Sequence, residues 1–559
     1  MSVQQLDARF ASNMGGVVPM IIPTTSAVYV TDARPPSLCE LVSIEAVNDH
    51  SFEGVVVVTD GADAGDVASR IGDLLSESEE AIKELASVDK TFGSSVSMHC
   101  IPGLPGSRLV VAPTGPVDRD IDDARRYFEA ASAGVQRASA AGAASIALVL
   151  DFQFASGELE RAKEVAVLGA LDATYVQLEA REHGVKPSIT KIGVVGVDSA
   201  HVSVLSAMHA GTSLAKDIGE SDPERATPAN IVDILAEAFK STNVSMHVHK
   251  DEAEIRKEFP LAHAVARCSY SVARHAPRIV KLEYRGESGS NRRRRLYLVG
   301  KGIVYDTGGA DIKAGGIMFG MSRDKCGAAA VAGFMYTVSK LAPKDLDVVV
   351  MLSFVRNSVG SNAYVSDEII RSHSGVYVKV GNTDAEGRMA MADPLSHLRE
   401  QAVKENKDGD ADVMLATVAT LTGHVVRAYG TAYTALVPNG PAKAKQFEKT
   451  LADNGHLWAD PFEISSLRRE DFDMIKSTAK SFDVLQSNCA ASSATMRGHQ
   501  FPAAFLSAVS GIDKHGRNAE MPLPYIHIDN AGSSCGANWT ATGRPVVGLT
   551  ASFVLDRFH

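Results

Sequence analysis

Between residues 1 and 195, short β-branched runs alternate with stretches of helical periodicity. Runs at 27–31, 54–59, 108–112, 145–150 and 191–197 predict strands, while the Ala-rich 120–141 and the periodic 159–182 predict helices. Strands and helices alternating in this way read as a small α/β domain. Over 198–216 the strand pattern gives way to a helical one. Beyond it, Thr227 stands where its hydroxyl can cap a helix beginning at Pro228, a residue that lacks the N–H such a position leaves unused. Strand composition returns at 278–284, 296–299 and 375–380, with helical stretches at 326–333 and 388–399. The predicted fold class is therefore α/β. A small N-terminal α/β domain with a linker helix occupies 1–195, and a larger C-terminal α/β domain, 196–559, has a central mixed sheet flanked by helices.

A chain of 559 residues exceeds one ordinary core, in keeping with more than one domain. Apolar residues at 45% and charged ones at 22% are globular values without disordered bias. The net charge of −11 fits a soluble cytoplasmic protein and argues against nucleic-acid binding by bulk electrostatics. Six cysteines form no CxxC and no framework spacing, as expected of free thiols in a reducing compartment. Neither a signal peptide nor a membrane span is expected, because no run of about 18 apolar residues occurs. The one strong basic run, Asn291-Arg292-Arg293-Arg294-Arg295, is expected at a solvated hairpin tip, and the charged stretch 399–412 as a surface insertion.

Chemistry concentrates in two segments. The first, 380–393, follows a β-branched run and contains Asn382-Thr383-Asp384-Ala385-Glu386-Gly387-Arg388. In extended backbone, residues two apart face one side, so Asp384 and Glu386 would converge at the C-terminal end of a strand. Carboxylates held together repel unless a cation lies between them. The second, 298–327, runs from a strand into Gly300-Lys301-Gly302, then Asp306-Thr307-Gly308-Gly309, Lys313 and Asp324. Glycines around polar residues let backbone approach a ligand closely. Read alone, its charged residues could equally neutralise surface acids.

Together the segments give a specific resemblance. The sequence resembles the leucyl aminopeptidase family (cytosol aminopeptidases), two-metal exopeptidases that remove N-terminal residues. Residues 382–388 match the family signature without departure. Gly300-Lys301-Gly302, Asp306 with Gly308-Gly309, Ile312-Lys313 and Asp324 keep its spacing. Ser361-Asn362-Ala363-Tyr364, Ala419-Thr420-Leu421-Thr422-Gly423, Ile528-Asp529 and Thr542-Gly543-Arg544 extend the likeness over 205–553. It is faint in the N-terminal third.

The resemblance implies that Lys301, Asp306, Asp324, Asp384 and Glu386 ligate two divalent ions (zinc or manganese, or magnesium), with Lys313 and Arg388 as catalytic side chains. Independently, four carboxylates supply hard oxygen ligands able to bridge two cations. Lys301 would ligate as a neutral amine, its pKa depressed by neighbouring cations. The metals would activate a water, Lys313 would stabilise the oxyanion, and a bicarbonate held by Arg388 would act as general base. Met321, Thr420 and Gly423 would line the substrate pocket. The implied assembly is a homohexamer acting on peptides.

Some positions depart from the pattern. Phe319 and the Ser322-Arg323 pair are unusual. Lys325 replaces an apolar neighbour of Asp324, which is expected to tune metal affinity. Ala226 replaces the first Asn of the family's Asn-x-Pro-x-Asn. The alternative reading is an inactive structural relative of the same fold. Such members typically lose ligand positions, and all seven are present here.

Overall fold

The computed structural model describes residues 39–557, apart from 48–50, 61–63, 155, 288–292, 315–316, 408, 410, 489–493 and 537. The strand expected at 27–31 lies outside the described residues. A six-stranded sheet comprises β1 (Glu40–Ile44), β2 (Val55–Thr59), β3 (Ser97–Cys100), β4 (Arg108–Pro113), β5 (Ser145–Asp151) and β6 (Lys191–Val195), in the order β1-β6-β5-β2-β4-β3. Neighbours run parallel except β3 beside β4. Every residue of β2 is buried, as a parallel strand covered on both faces requires. Val56 and Val58 meet the helices Arg125–Ala140 and Ala162–Asp172, while Val55 and Val57 meet those at Ala64–Leu74 and Glu79–Val88. The helix expected over 159–182 is broken. Thr174 turns its hydroxyl onto Leu171 O at 2.7 Å, and Tyr175 reaches Asp217 at 2.9 Å, so the helix resumes only at Leu178–Glu182.

The larger mixed sheet comprises β7 (Val244–His249), β8 (Arg278–Arg285), β9 (Arg294–Asp306), β10 (Leu346–Asn357), β13 (Asp412–Ala419), β14 (Thr434–Pro438), β15 (Phe462–Ile464) and β17 (Tyr525–Asp529). A small sheet holds β11 (Ile369–Arg371), β12 (Tyr377–Lys379) and β16 (Val484–Leu485). The large sheet has the order β15-β14-β17-β13-β9-β10-β8-β7. Its four inner strands, β17, β13, β9 and β10, run parallel. Alternate residues divide its two faces. Leu296, Leu298, Val348 and Val350 pack with the helices Ser199–Glu220 and Cys326–Leu341. Tyr297, Val299, Val349 and Met351 pack with Pro260–Ala266, Glu386–Glu405 and Phe501–Ser510. Asp198 caps the first of these helices by accepting from His201 N at 2.9 Å, and Thr227 caps Pro228–Phe239 as its sequence implies.

Local expectations are refined in three places. Gly300-Lys301-Gly302 lies inside β9, which continues well beyond the strand expected at 296–299. A Cβ on Gly300 would stand 2.4 Å from Ala328 Cα, so this glycine admits the Cys326–Leu341 helix rather than a ligand. β8 and β9 form no hairpin, because β10 lies between them; Asn291 and Arg292 of the basic run lie outside the described residues. Arg293 pairs with Asp347, Arg294 with Asp412, and Arg295 donates to Glu405 O at 2.7 Å. The stretch 399–412 begins as the last turns of the Glu386–Glu405 helix, whose Glu405 accepts from Arg285 and Tyr297.

Candidate active site

Parallel strands β9, β10, β13 and β17 end together at Asp306, Asn357, Ala419 and Asp529, the side of an α/β sheet where ligands bind. Asp306 closes β9, and Lys301 reaches in from within the same strand. Asp384 and Glu386 arrive by another route. β12 belongs to the small sheet, a turn follows it, and Glu386 is the first residue of its helix. The two carboxylates thus converge through a turn and a helix start, not through extended backbone. Gln486 holds that turn: its Oε1 accepts from Gly381 N and Asn382 N, and its Nε2 donates to Asn382 O and Ala385 O, both at 2.8 Å. Asp311 accepts from Thr383 N at 2.7 Å.

Ligand oxygens of Asp306, Asp384 and Glu386 lie within 4.8 Å of one another. Lys313 Nζ is 3.0 Å from Asp306 Oδ2 and also pairs with Asp384. Lys301 Nζ is 2.7 Å from Asp324 Oδ2 and 3.1 Å from Glu386 Oε1, and donates to Thr420 O at 3.0 Å. Thr420 in turn donates its hydroxyl to Asp324 Oδ1 at 2.9 Å. Burial, reinforced by the neighbouring carboxylates, raises Asp324 well above the usual carboxylate range and Asp384 to about 7, and it raises Glu386 as well. Burial alone would lower the two lysines, but the surrounding carboxylates hold both ammoniums above their ordinary range.

This donor set fits divalent cations. Four carboxylates face two ammoniums, which leaves negative charge uncompensated in a buried place. Among the described residues, buried Asp324 Oδ2 meets only the ammonium of Lys301, and buried Asp384 Oδ1 only that of Lys313, so each oxygen keeps coordinating capacity. Lys301 is cationic in the protein alone, so it can ligate only on giving up a proton.

Arg388, in the first turn of its helix, is buried against the Phe501 ring at 4.7 Å and donates to Gln486 O at 2.9 Å. Its Nε is buried without a partner among the described residues. Burial lowers its pKa to about 10, against the pull of Glu386. Lys313, Arg388, Met321, Thr420 and Gly423 share with the carboxylates and Lys301 the wall of one open cleft of about 530 Å³. All ten residues singled out in the sequence meet there.

Asn357, Gln486 and Trp539 went unread, while Phe319 and Lys325 stand out in the sequence only as departures from the family pattern. Asn357 and Gln486 buttress the carboxylates, and their only sequence signal is an amide closing a short or long apolar run. Phe319 and Trp539 form an edge-to-face pair at the rim, 5.9 Å between centroids. Lys325 is fully buried and spends its ammonium on Ser221 O, at 2.9 Å, and Ser322 O, with burial lowering its pKa to about 8.

Comparison with known proteins adds a separate line. The model of the cytosol aminopeptidase family, catalytic domain, matches residues 213–550. A putative aminopeptidase of Caenorhabditis elegans is 38% identical over 92% of this chain and 98% of its own. A probable cytosol aminopeptidase of Aeropyrum pernix is 30% identical over 70% of this chain and 75% of its own. Among solved structures, a leucyl aminopeptidase from Leishmania major in complex with actinonin superposes with TM-score 0.75 at 21% identity, over 94% of this chain and 96% of that one. The bottromycin maturation enzyme BotP in complex with Mn gives 0.69 at 22% identity, over 89% and 98%.

Proposed function

The chain belongs to the cytosol aminopeptidase family, and from that premise we propose that this peptidase-class hydrolase is a metal-dependent aminopeptidase releasing N-terminal residues from peptides. The observation that carries the reading is the convergence of four carboxylates, two lysines and Arg388 at the ends of parallel strands, in one open cleft. Asp306, Asp324, Asp384, Glu386 and Lys301 would hold two divalent ions, with zinc and manganese best matched to the mixed oxygen and nitrogen donors. When bound, such ions supply Lewis-acid polarisation of the scissile carbonyl and an activated water.

The remaining steps belong to the chain's own side chains. Lys313 keeps its proton because carboxylates surround it, so it can place a positive charge beside the developing oxyanion. Arg388 offers a buried Nε, unpartnered among the described residues, beside its planar fork, which suits a small oxyanion such as bicarbonate as general base. Met321, Thr420 and Gly423 would receive the N-terminal side chain. By family resemblance we read the working form as a cytoplasmic homohexamer, with the catalytic domain beginning near residue 196.

The test is hydrolysis of a panel of aminoacyl-anilides with Mn²⁺ or Zn²⁺, before and after chelation, by the wild type and by Lys313→Ala and Glu386→Ala. Metal-restored cleavage lost in both variants supports the reading. No turnover by the folded, metal-loaded protein on any aminoacyl or dipeptide substrate would sink it in favour of an inactive structural relative.

A further inference from the structure

We propose a second metal site at the β7 edge of the large sheet, formed by His247, His249 and Glu254 and suited to one divalent transition ion of the zinc class. Along β7, alternate residues face opposite sides. Met246 and Val248 turn inward to pack against the core, so His247 and His249 project together on the outer face. Their rings stand 4.5 Å apart, nearly perpendicular. Glu254 comes from the helix Glu252–Glu258 and is fixed by Asp251, which accepts from Glu254 N at 2.9 Å. One ligand atom from each of the three lies within 4.8 Å of the others. Tetrahedral zinc with nitrogen and oxygen ligands spaces its donors roughly 3.3 Å apart, so side-chain rotation of about 1 Å closes the set.

The arrangement of partners favours a cation here. His249 Nδ1 already faces Glu254 Oε1 at 2.7 Å, a gap that a proton bridges and a metal can take over. His247 makes no hydrogen bond among the described residues and is exposed, so turning its ring gives up only its edge contact with His249. Phe259 packs edge-on against His249 at 5.1 Å and limits its rotation. The two lysines of the cleft are matched elsewhere, Lys281 by Glu283 and Lys257 by Glu258, so neither neutralises Glu254. Two imidazoles and one carboxylate favour zinc, cobalt, nickel or copper over calcium or magnesium, and leave a fourth position to water. The cleft in front of them, about 740 Å³, gives an ion entry.

The neighbouring group of Glu258, His373 and His397 is equally compact but already committed. Its imidazoles stack at 3.7 Å, and His397 Nε2 donates to Glu258 O at 2.9 Å, so that nitrogen offers no lone pair. The β7 site is also distinct from the carboxylate cluster. β7 lies three strands from β9, on the order of 14 Å across the ladder. An ion bound there ties an edge strand to the helix that follows it, a role in stability rather than in peptide cleavage.

The test counts metal. Full-length protein dialysed against micromolar Zn²⁺ and freed of excess is expected to retain one equivalent per chain more than His247→Ala/His249→Ala. With Co²⁺ as the probe, the visible d–d absorption is expected to lose one component in the variant. Equal metal content with identical spectra overturns the proposal. Because the alanine pair strips an edge strand, Glu254→Gln provides a shape-preserving control. It is expected to weaken that equivalent tenfold or more while thermal unfolding in EDTA stays unchanged. Undiminished zinc affinity in Glu254→Gln, with Zn²⁺ raising the melting temperature of variant and wild type equally, also overturns it.

Discussion

Asn357 Nδ2 donates to Asp306 Oδ1 at 2.8 Å and to Thr383 O at 3.0 Å, so the last residue of β10 ties the β9 carboxylate to the turn that delivers Asp384. The same amide lies 3.5 Å from Glu386 Oε2. Asn357 is fully buried, and its bonds orient the carboxylates proposed to hold metal. Asn357→Leu keeps the volume and removes the donor. Metal affinity is expected to fall about 10–100-fold, with a matching loss of turnover at low metal that saturating metal partly restores. Calorimetric titration of Mn²⁺ into the chelated variant checks this, and unchanged affinity would remove Asn357 from the site.

Gly387 tests the approach of helix to strand at Lys301. A Cβ added there would meet Lys301 Cε at 2.4 Å and Nζ at 2.8 Å. Lys301 would have to move, and with it the amine shared between Asp324 and Glu386. Gly387→Ala adds helix propensity of about 1 kcal/mol, so little stability should be lost. Turnover is expected to fall at least tenfold, with the urea midpoint nearly unchanged. A variant with wild-type turnover would mean that the lysine is not held where the mechanism needs it.

The fold class, and the ten candidate residues that share one cleft, were legible because each depends on local pattern: β-branched runs, a helix cap at Thr227, and motif spacing around Lys301 and Glu386. What escaped depends on pairing across long separations. β9 was read as four residues, but its partners β10 and β13 extend it through Lys301 to Asp306, and no local signal carries that register. Arg293, Arg294 and Arg295 looked solvated because Asp347, Asp412 and Glu405 lie far away in sequence. Asp384 and Glu386 met as expected, yet for a different reason: the helix begins at Glu386, and Gln486, about a hundred residues later, shapes the turn before it.

Gly300 separates packing from chemistry within the same motif. Its Cβ position lies 2.4 Å from Ala328 Cα and 3.0 Å from Ala328 N, backbone that cannot rotate away. Gly300→Ala therefore overpacks the contact of β9 with the Cys326–Leu341 helix and is expected to cost about 1–3 kcal/mol of stability. Reduced soluble yield and a lower urea midpoint are the readouts. A variant as stable as wild type would show that the helix can shift away freely.

His527 makes a pH prediction whose sign can be worked out. It lies on β17, fully buried, with Nδ1 2.8 Å from Thr417 Oγ1 and Nε2 without a partner among the described residues. Burial pushes its pKa down to about 3, and the nearby His499 and Arg388 act in the same direction. An unfolded histidine titrates near 6.5. The folded state therefore refuses a proton that the unfolded chain accepts, and stability present above pH 6.5 is lost as pH falls towards 3. At pH 5 the loss from this one group is about 2 kcal/mol. His527→Gln can still bond Thr417 but cannot take up the proton. It is expected to be less stable than wild type at pH 7.5, with the gap narrowing by about 2 kcal/mol at pH 5. Urea unfolding of both proteins at the two pH values decides it. A gap that does not change with pH would mean that His527 titrates alike in both states, and that the acid sensitivity of the fold lies elsewhere.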